Sequence, residues 1–97
     1  MAKGYWIGRV SVTDLDAYKL YVAGNGKAFA KFGAKFLVRA GDFVCKEGES
    51  RDRNVVLEFP SYADALACYE SPEYQEVLKL RIDAAVSDLI IIEGYDG

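Results

Sequence analysis

Between Tyr5 and Val12, aromatic and β-branched side chains crowd into a run too short for a helix, which predicts a first strand. Thr13 or Asp14 follows as an N-cap, with Asp14 and Asp16 where the positive end of a helix dipole favours acids. Leu15, Tyr18, Val22, Phe29 and Phe32 then recur near helical spacing and predict a helix to about Phe32. Gly24 and Gly26 each weaken it by about 1 kcal/mol relative to alanine, so a break near Asn25 is expected. Gly33 supplies the left-handed residue that ends it. Ala34 to Ala40 reads as the second strand, with Phe36 and Val38 on one face and Leu37 and Arg39 on the other. Gly41 turns the chain, Phe43 to Lys46 is a short strand by pattern, and Glu47 to Arg53 is a charged loop.

Asn54 to Phe59 alternates with the two-residue period of a strand, separating Val55, Leu57 and Phe59 from Asn54, Val56 and Glu58. Pro60 and Ser61 stop it and start a second helix, whose apolar side is formed by Ala63, Leu66, Ala67 and Tyr69. Ser71 caps a restart with Pro72 in its first turn and Glu73 near the positive dipole end, and this segment should reach about Ala85. Ser87 or Asp88 leads into Leu89 to Glu93, a nearly continuous apolar strand expected to be covered on both faces.

The order β-α-β-β-α-β predicts an α+β ferredoxin-like sandwich, a four-stranded antiparallel sheet with helices on one face, as a single domain over residues 1–97. Apolar side chains nevertheless fall on both faces of the strands, Trp6, Val10, Phe36, Val38, Ile90 and Ile92 among them. A second copy packed sheet against sheet is the simplest cover, so a homodimer is expected.

Composition narrows the chemistry. The 97 residues are 52% hydrophobic and 28% charged, enough for one core and incompatible with a disordered or collagen-like chain. Twelve basic against fifteen acidic side chains leave a formal charge of −3, which disfavours nucleic acid or an anionic bilayer as partner. Histidine is absent, and with it the usual general base and the commonest zinc ligand. Cys45 and Cys68 lack CxxC spacing and read as two buried thiols. Tyr5 to Val12 contains Arg9 and no cleavage site, and no apolar run approaches the length of a membrane span, so a cytoplasmic protein is expected.

Arg81 is the most informative single residue. Tyr74, Val77, Leu78, Arg81, Ile82 and Ala85 form one helical stripe, which places a guanidinium on a face otherwise apolar. It needs an acceptor, and Glu58 or Glu93 serves if either points toward the helices. The stripe fits a structural Arg–Glu pair joined by Tyr74 as well as it fits an anion clamp. Arg39 and Arg53 stand at strand ends where a forked donor meets a carboxylate or phosphate, although Arg53, beside Arg51 and Asp52, also reads as a solvated boundary residue. Ser71 has an ordinary capping explanation and no neighbouring base. The acids at Asp14, Asp16, Glu47 and Glu49 lack calcium-loop spacing. Gly24-Asn25-Gly26 lacks the strand-turn-helix context of a phosphate loop.

Taken together, FGAKFLVRAG at Phe32 to Gly41, Glu47-Gly48, RNVVLEFPSYADAL at Arg53 to Leu66, SPEY at Ser71 to Tyr74, Arg81 and the closing Glu93-Gly94 make nearly the whole chain resemble the family known as domain of unknown function 1330. The resemblance implies a dimeric α/β barrel of two ferredoxin-like subunits. It maps the family's polar motif positions onto Arg39, Arg53, Glu58, Ser71, Tyr74 and Arg81. Ala34 departs from a common second glycine, and Cys68 from a common tryptophan, a change expected to reshape a pocket wall. The wider superfamily includes cofactor-free monooxygenases, isomerases and haem-processing enzymes, but a shared fold does not transfer activity. No cofactor or metal is implied, and the lack of histidine argues against histidine-ligated haem.

The leading expectation is a homodimer binding a small anionic or aromatic molecule between sheet and helices. Arg81 and Arg39 would hold the anion, Glu58 would orient Arg81 or exchange a proton, and Tyr74 would donate a hydrogen bond, with Arg53 and Ser71 as further binding residues. Two classes of function stay open at this point: a cofactor-independent enzyme, and a non-catalytic binding, accessory or dimerisation module.

Overall fold

A computed structural model describes residues 2–97. Four strands, β1 (Gly4–Val12), β2 (Lys35–Arg39), β3 (Arg53–Phe59) and β4 (Ala85–Glu93), form one sheet in the order β2-β3-β1-β4, all neighbours antiparallel. Helices α1 (Leu15–Gly24) and α2 (Gly26–Lys31) connect β1 to β2, and α3 (Tyr62–Glu70) and α4 (Pro72–Ile82) connect β3 to β4. The extents of 38 × 36 × 16 Å are those of a slab two layers thick, so one face of the sheet carries the helices and the other is bare.

Local chemistry explains the boundaries. Asp14 caps α1 by accepting from Ala17 N at 3.2 Å, and Asn25 marks the break between α1 and α2 that the flanking glycines foretell. Ser61 caps α3 by accepting from Asp64 N. Ser71 caps α4 by accepting from Tyr74 N and donates to Cys68 O at 2.7 Å, so its hydroxyl stitches the two helices together. Gly4 is required by close approach, because a Cβ there would meet Ser61 O at 2.6 Å.

The core lies between sheet and helices around Trp6, Phe29, Leu57, Phe59, Tyr74 and Leu78. On the bare face, register aligns Val38, Val56, Ile7 and Ile90 in one apolar row across all four strands. Val38 and Ile90 are 42% and 54% exposed.

Several expectations are corrected. Phe43 to Lys46 is not a strand: it is exposed and lies in the irregular segment between β2 and β3. Ala40, just before Gly41, takes the left-handed conformation after β2 (φ 56°). α4 ends at Ile82 and β4 begins at Ala85, so Ser87 lies inside the strand rather than before it. Within one subunit alternate residues of β4 are exposed, on the face that the expected second copy would cover. Ile82 leaves the buried stripe and is 64% exposed. The buried side of α3 is Ala65 and Cys68, while Leu66 points to solvent. Cys45 is exposed and only Cys68 is buried. A bulge between Phe36 and Val38 shifts the register of β2, so Arg39, not Val38, shares the helix-facing side with Phe36.

Candidate functional site

On the helix-facing side of β1 the residues run Gly4, Trp6, Gly8, Val10. Gly8 stands between Val55 of β3 and Leu89 of β4 and offers no side chain, so a hollow opens beneath α1 where a larger residue would have met the helices. The next row toward the sheet's end is Arg53, Val10 and Ser87. Arg39, opposite Val55, extends the Gly8 row on the β2 side. The resulting cavity is walled by Trp6, Phe29 and Phe36 at one end and by Tyr18, Tyr21 and Tyr74 above. Water centres have about 50 Å³ to occupy in it, room for about four waters at roughly 10–15 Å³ each.

Its polar inventory is cationic. Arg53, Arg81 and Arg39 all line it, and among the described residues no ion pair engages any of the three. The Arg53 guanidinium sits 5.5 Å from the Tyr18 ring centre, Arg81 5.4 Å from that of Tyr21, and Arg39 4.2 Å from that of Phe36. These cation–π contacts offset part of the desolvation. They leave donors unused: Arg53 Nε, Arg81 Nε and Ser87 Oγ are buried without a hydrogen-bond partner. The one acid lining the cavity, Asp88, is held by Arg51 Nε at 2.7 Å.

Tyrosines complete the site. Tyr21 and Tyr74 share a hydrogen bond of 2.7 Å, and Arg81 Nη2 donates to Tyr74 Oη at 3.4 Å. Burial pushes both phenols above their ordinary pKa, and Tyr21 further by its closeness to Tyr74. Both therefore stay protonated at neutral pH; one hydroxyl donates to the other, and Tyr74 also accepts from Arg81. Burial opposes the charge on Arg81, but the oxygens of Tyr74 and Tyr21 outweigh it and hold the guanidinium charged. Half-buried guanidiniums beside protonated phenols suit the binding of an anion, or of negative charge that develops in a reacting substrate.

Four of the residues singled out from sequence, Arg39, Arg53, Tyr74 and Arg81, come together here. Glu58 does not. It projects from the bare face, where it accepts from Lys3 Nζ and Tyr5 Oη at 3.1 Å each, so it neither orients Arg81 nor reaches the cavity. Lys3 holds its carboxyl below the ordinary carboxylate value, and the Tyr5 hydrogen bond adds to that. Glu93, at the far end of β4 opposite Gly4, is exposed and makes no ion pair with Arg81. Ser71 is spent on its capping bonds. Cys68 is no pocket wall: it packs beneath α3 with its sulfur 3.8 Å from Ala28 O, and burial pushes its thiol up to about 12. Sequence reasoning missed Ser87, Asn25 and the hollow itself. Its signal was Gly8, a glycine on the inward face between Trp6 and Val10.

A family model described as a domain of unknown function (DUF1330) matches residues 3–95. No curated protein matches the chain. Among solved structures, a protein of unknown function from Rhodopseudomonas palustris is 23% identical, with 99% of this chain and 85% of that one covered and a TM-score of 0.78. SnoaB, a cofactor-independent oxygenase from Streptomyces nogalater, is 10% identical over 100% and 97% of the two chains, with a TM-score of 0.66. A dimeric ferredoxin-like protein of unknown function from Thermobifida fusca is 14% identical over 95% and 89%, with a TM-score of 0.61. At these identities the likeness is one of fold, and it is the ferredoxin-like arrangement.

Proposed function

The chain belongs to the DUF1330 family, and from that premise we propose that it is a homodimeric, single-domain binding protein whose cavity takes a small organic anion. The observation that carries the reading is that Arg53, Arg81 and Ser87, each with a buried and unpartnered polar atom, line one cavity. A buried donor without a partner costs about 1–3 kcal/mol, more if charged, and an anion bridging the two guanidiniums removes that cost. Arg39 guards the mouth, Arg53 and Arg81 hold the charge, and Tyr74 positions Arg81. The free thiols of Cys45 and Cys68 suit a reducing cytoplasm.

Turnover is the finer reading. SnoaB is a cofactor-independent oxygenase of the same fold, and a site of fixed cations and protonated phenols favours a substrate that becomes more negative as it reacts.

Titration with small carboxylates from acetate to benzoate, followed by thermal unfolding, tests the binding reading. A ligand at a hundredfold excess over Kd stabilises the fold by about 2.7 kcal/mol. Wild type should show this shift, and Arg81→Met, folded by circular dichroism, should not. Equal shifts in both, or none in wild type, overturn the reading. The apolar row on the bare face supports the dimer, and a monomer by sedimentation at micromolar concentration overturns that part.

A further inference from the structure

The cavity is not the only hollow beside Arg81. Between α3, α4 and β4 runs a groove in which water centres have about 550 Å³ to occupy, against about 50 Å³ in the cavity. Tyr69, Leu78, Ile82, Ala85 and Ile91 supply its apolar side chains, while nearly half of the surface it presents is polar. It lies along an edge strand, so no further strand of this sheet closes it. Arg81, Ser87 and Leu89 line both spaces. Two of the three residues with an unpartnered buried polar atom, Arg81 and Ser87, therefore stand between the small cavity and the larger open groove.

Resting on the anion-binding reading above, we propose that the ligand is amphiphilic: a carboxylate head held by Arg53, Arg81 and Ser87, with an apolar tail lying in the groove between α4 and β4. The cavity alone is too small for more than a head group. An anion without a tail leaves the apolar walls of the groove in water, including the 64% exposed Ile82. A tail that begins at the partition satisfies the buried donors and covers those walls with one molecule. The chemical class is a monocarboxylate with several consecutive methylene or ring carbons.

Calorimetric titration with butanoate, hexanoate and octanoate, below their micellar concentrations, reads the tail directly. Each methylene taken from water is worth about 0.8 kcal/mol, so affinity should rise about fourfold per added carbon, and methyl octanoate, which lacks the charge, should not bind. Ile82→Glu places a charge in the groove at an exposed position and should flatten the dependence on length, with Ile82→Ser flattening it less. Carboxylates that bind equally at every length overturn the tail and leave the anion site standing. Failure of every carboxylate overturns both. A length dependence that persists in Ile82→Glu, or binding of the methyl ester, places the tail elsewhere and overturns the inference.

Discussion

Trp6 and Gly8 are two residues apart on the same face of the same strand and do opposite things. Trp6 is 2% exposed, its ring packs against Phe29, Phe59, Tyr69 and Tyr74 at centroid distances of 4.9–5.8 Å, and its Nε1 donates to Ala65 O at 2.8 Å. Every polar group of the indole is satisfied and every face is covered. Gly8 covers nothing, and around the hollow it leaves stand buried donors without partners. The inner face of the sheet is thus divided along its length into an end that stabilises the fold and an end that holds latent binding energy. Unfilled hollows and unpaired guanidiniums both work against stability, so the second end depends on the first.

The sharpest way to break this division is Trp6→Ala. A buried tryptophan truncated to alanine costs about 3–5 kcal/mol, a large part of the 5–15 kcal/mol typical of a domain. Denaturation followed by far-UV circular dichroism should show it, and a loss below 1 kcal/mol would dissolve the comparison. Arg81→Met comes next. Replacing a half-buried charge that lacks a carboxylate partner with an apolar side chain should leave the ligand-free protein as stable as wild type or more so, while the stabilisation of about 2.7 kcal/mol by excess anion disappears. Unfolding instead would make Arg81 a structural residue. Gly8→Val should raise stability by about 0.5–1 kcal/mol, because glycine weakens a strand interior and a Cβ there would lie an ordinary 3.6 Å from Leu89 Cδ1. The same change fills the hollow, so anion titration should become flat.

The smallest effect belongs to the bare face. Glu58 has its pKa lowered from 4.5 by the Lys3 hydrogen bond first and by Tyr5 as well. Its contribution to stability is therefore present above pH 4.5 and lost as pH falls through the lower folded value. The difference in stability between wild type and Glu58→Gln should shrink on acidification below pH 4.5, and a difference that grows there would reverse the assignment.

The fold was largely legible because its signals are local. Ser61, Ser71 and Pro72 announce two helix starts, Gly24 and Gly26 a break, and the alternation from Val55 to Phe59 groups the two faces of β3 as found, although Glu58 was expected to reach Arg81. The site was legible only in part because it depends on register. Arg81 stood out against its apolar stripe, but Arg53 looked like a boundary residue, since nothing in its neighbourhood reveals that it lies beside Val10 in the sheet. Arg39 was placed on the wrong face because a bulge of one residue leaves no mark in hydrophobic alternation. Ser87 was hidden by a β4 read as starting too late, its polar side chain resembling a loop residue when its inward neighbours were not yet known.

One consequence of the packing is optical. The chain contains a single tryptophan, and that indole forms a wall of the cavity while its Nε1 stays anchored to Ala65 O. Its emission therefore comes from one site, at the boundary between the filled and the hollow ends, where the nearby tyrosines can pass excitation to it. A ligand entering beside Gly8 displaces water next to the only strong fluorophore in the molecule, so occupancy can be followed in the unlabelled protein by the colour and intensity of its own light.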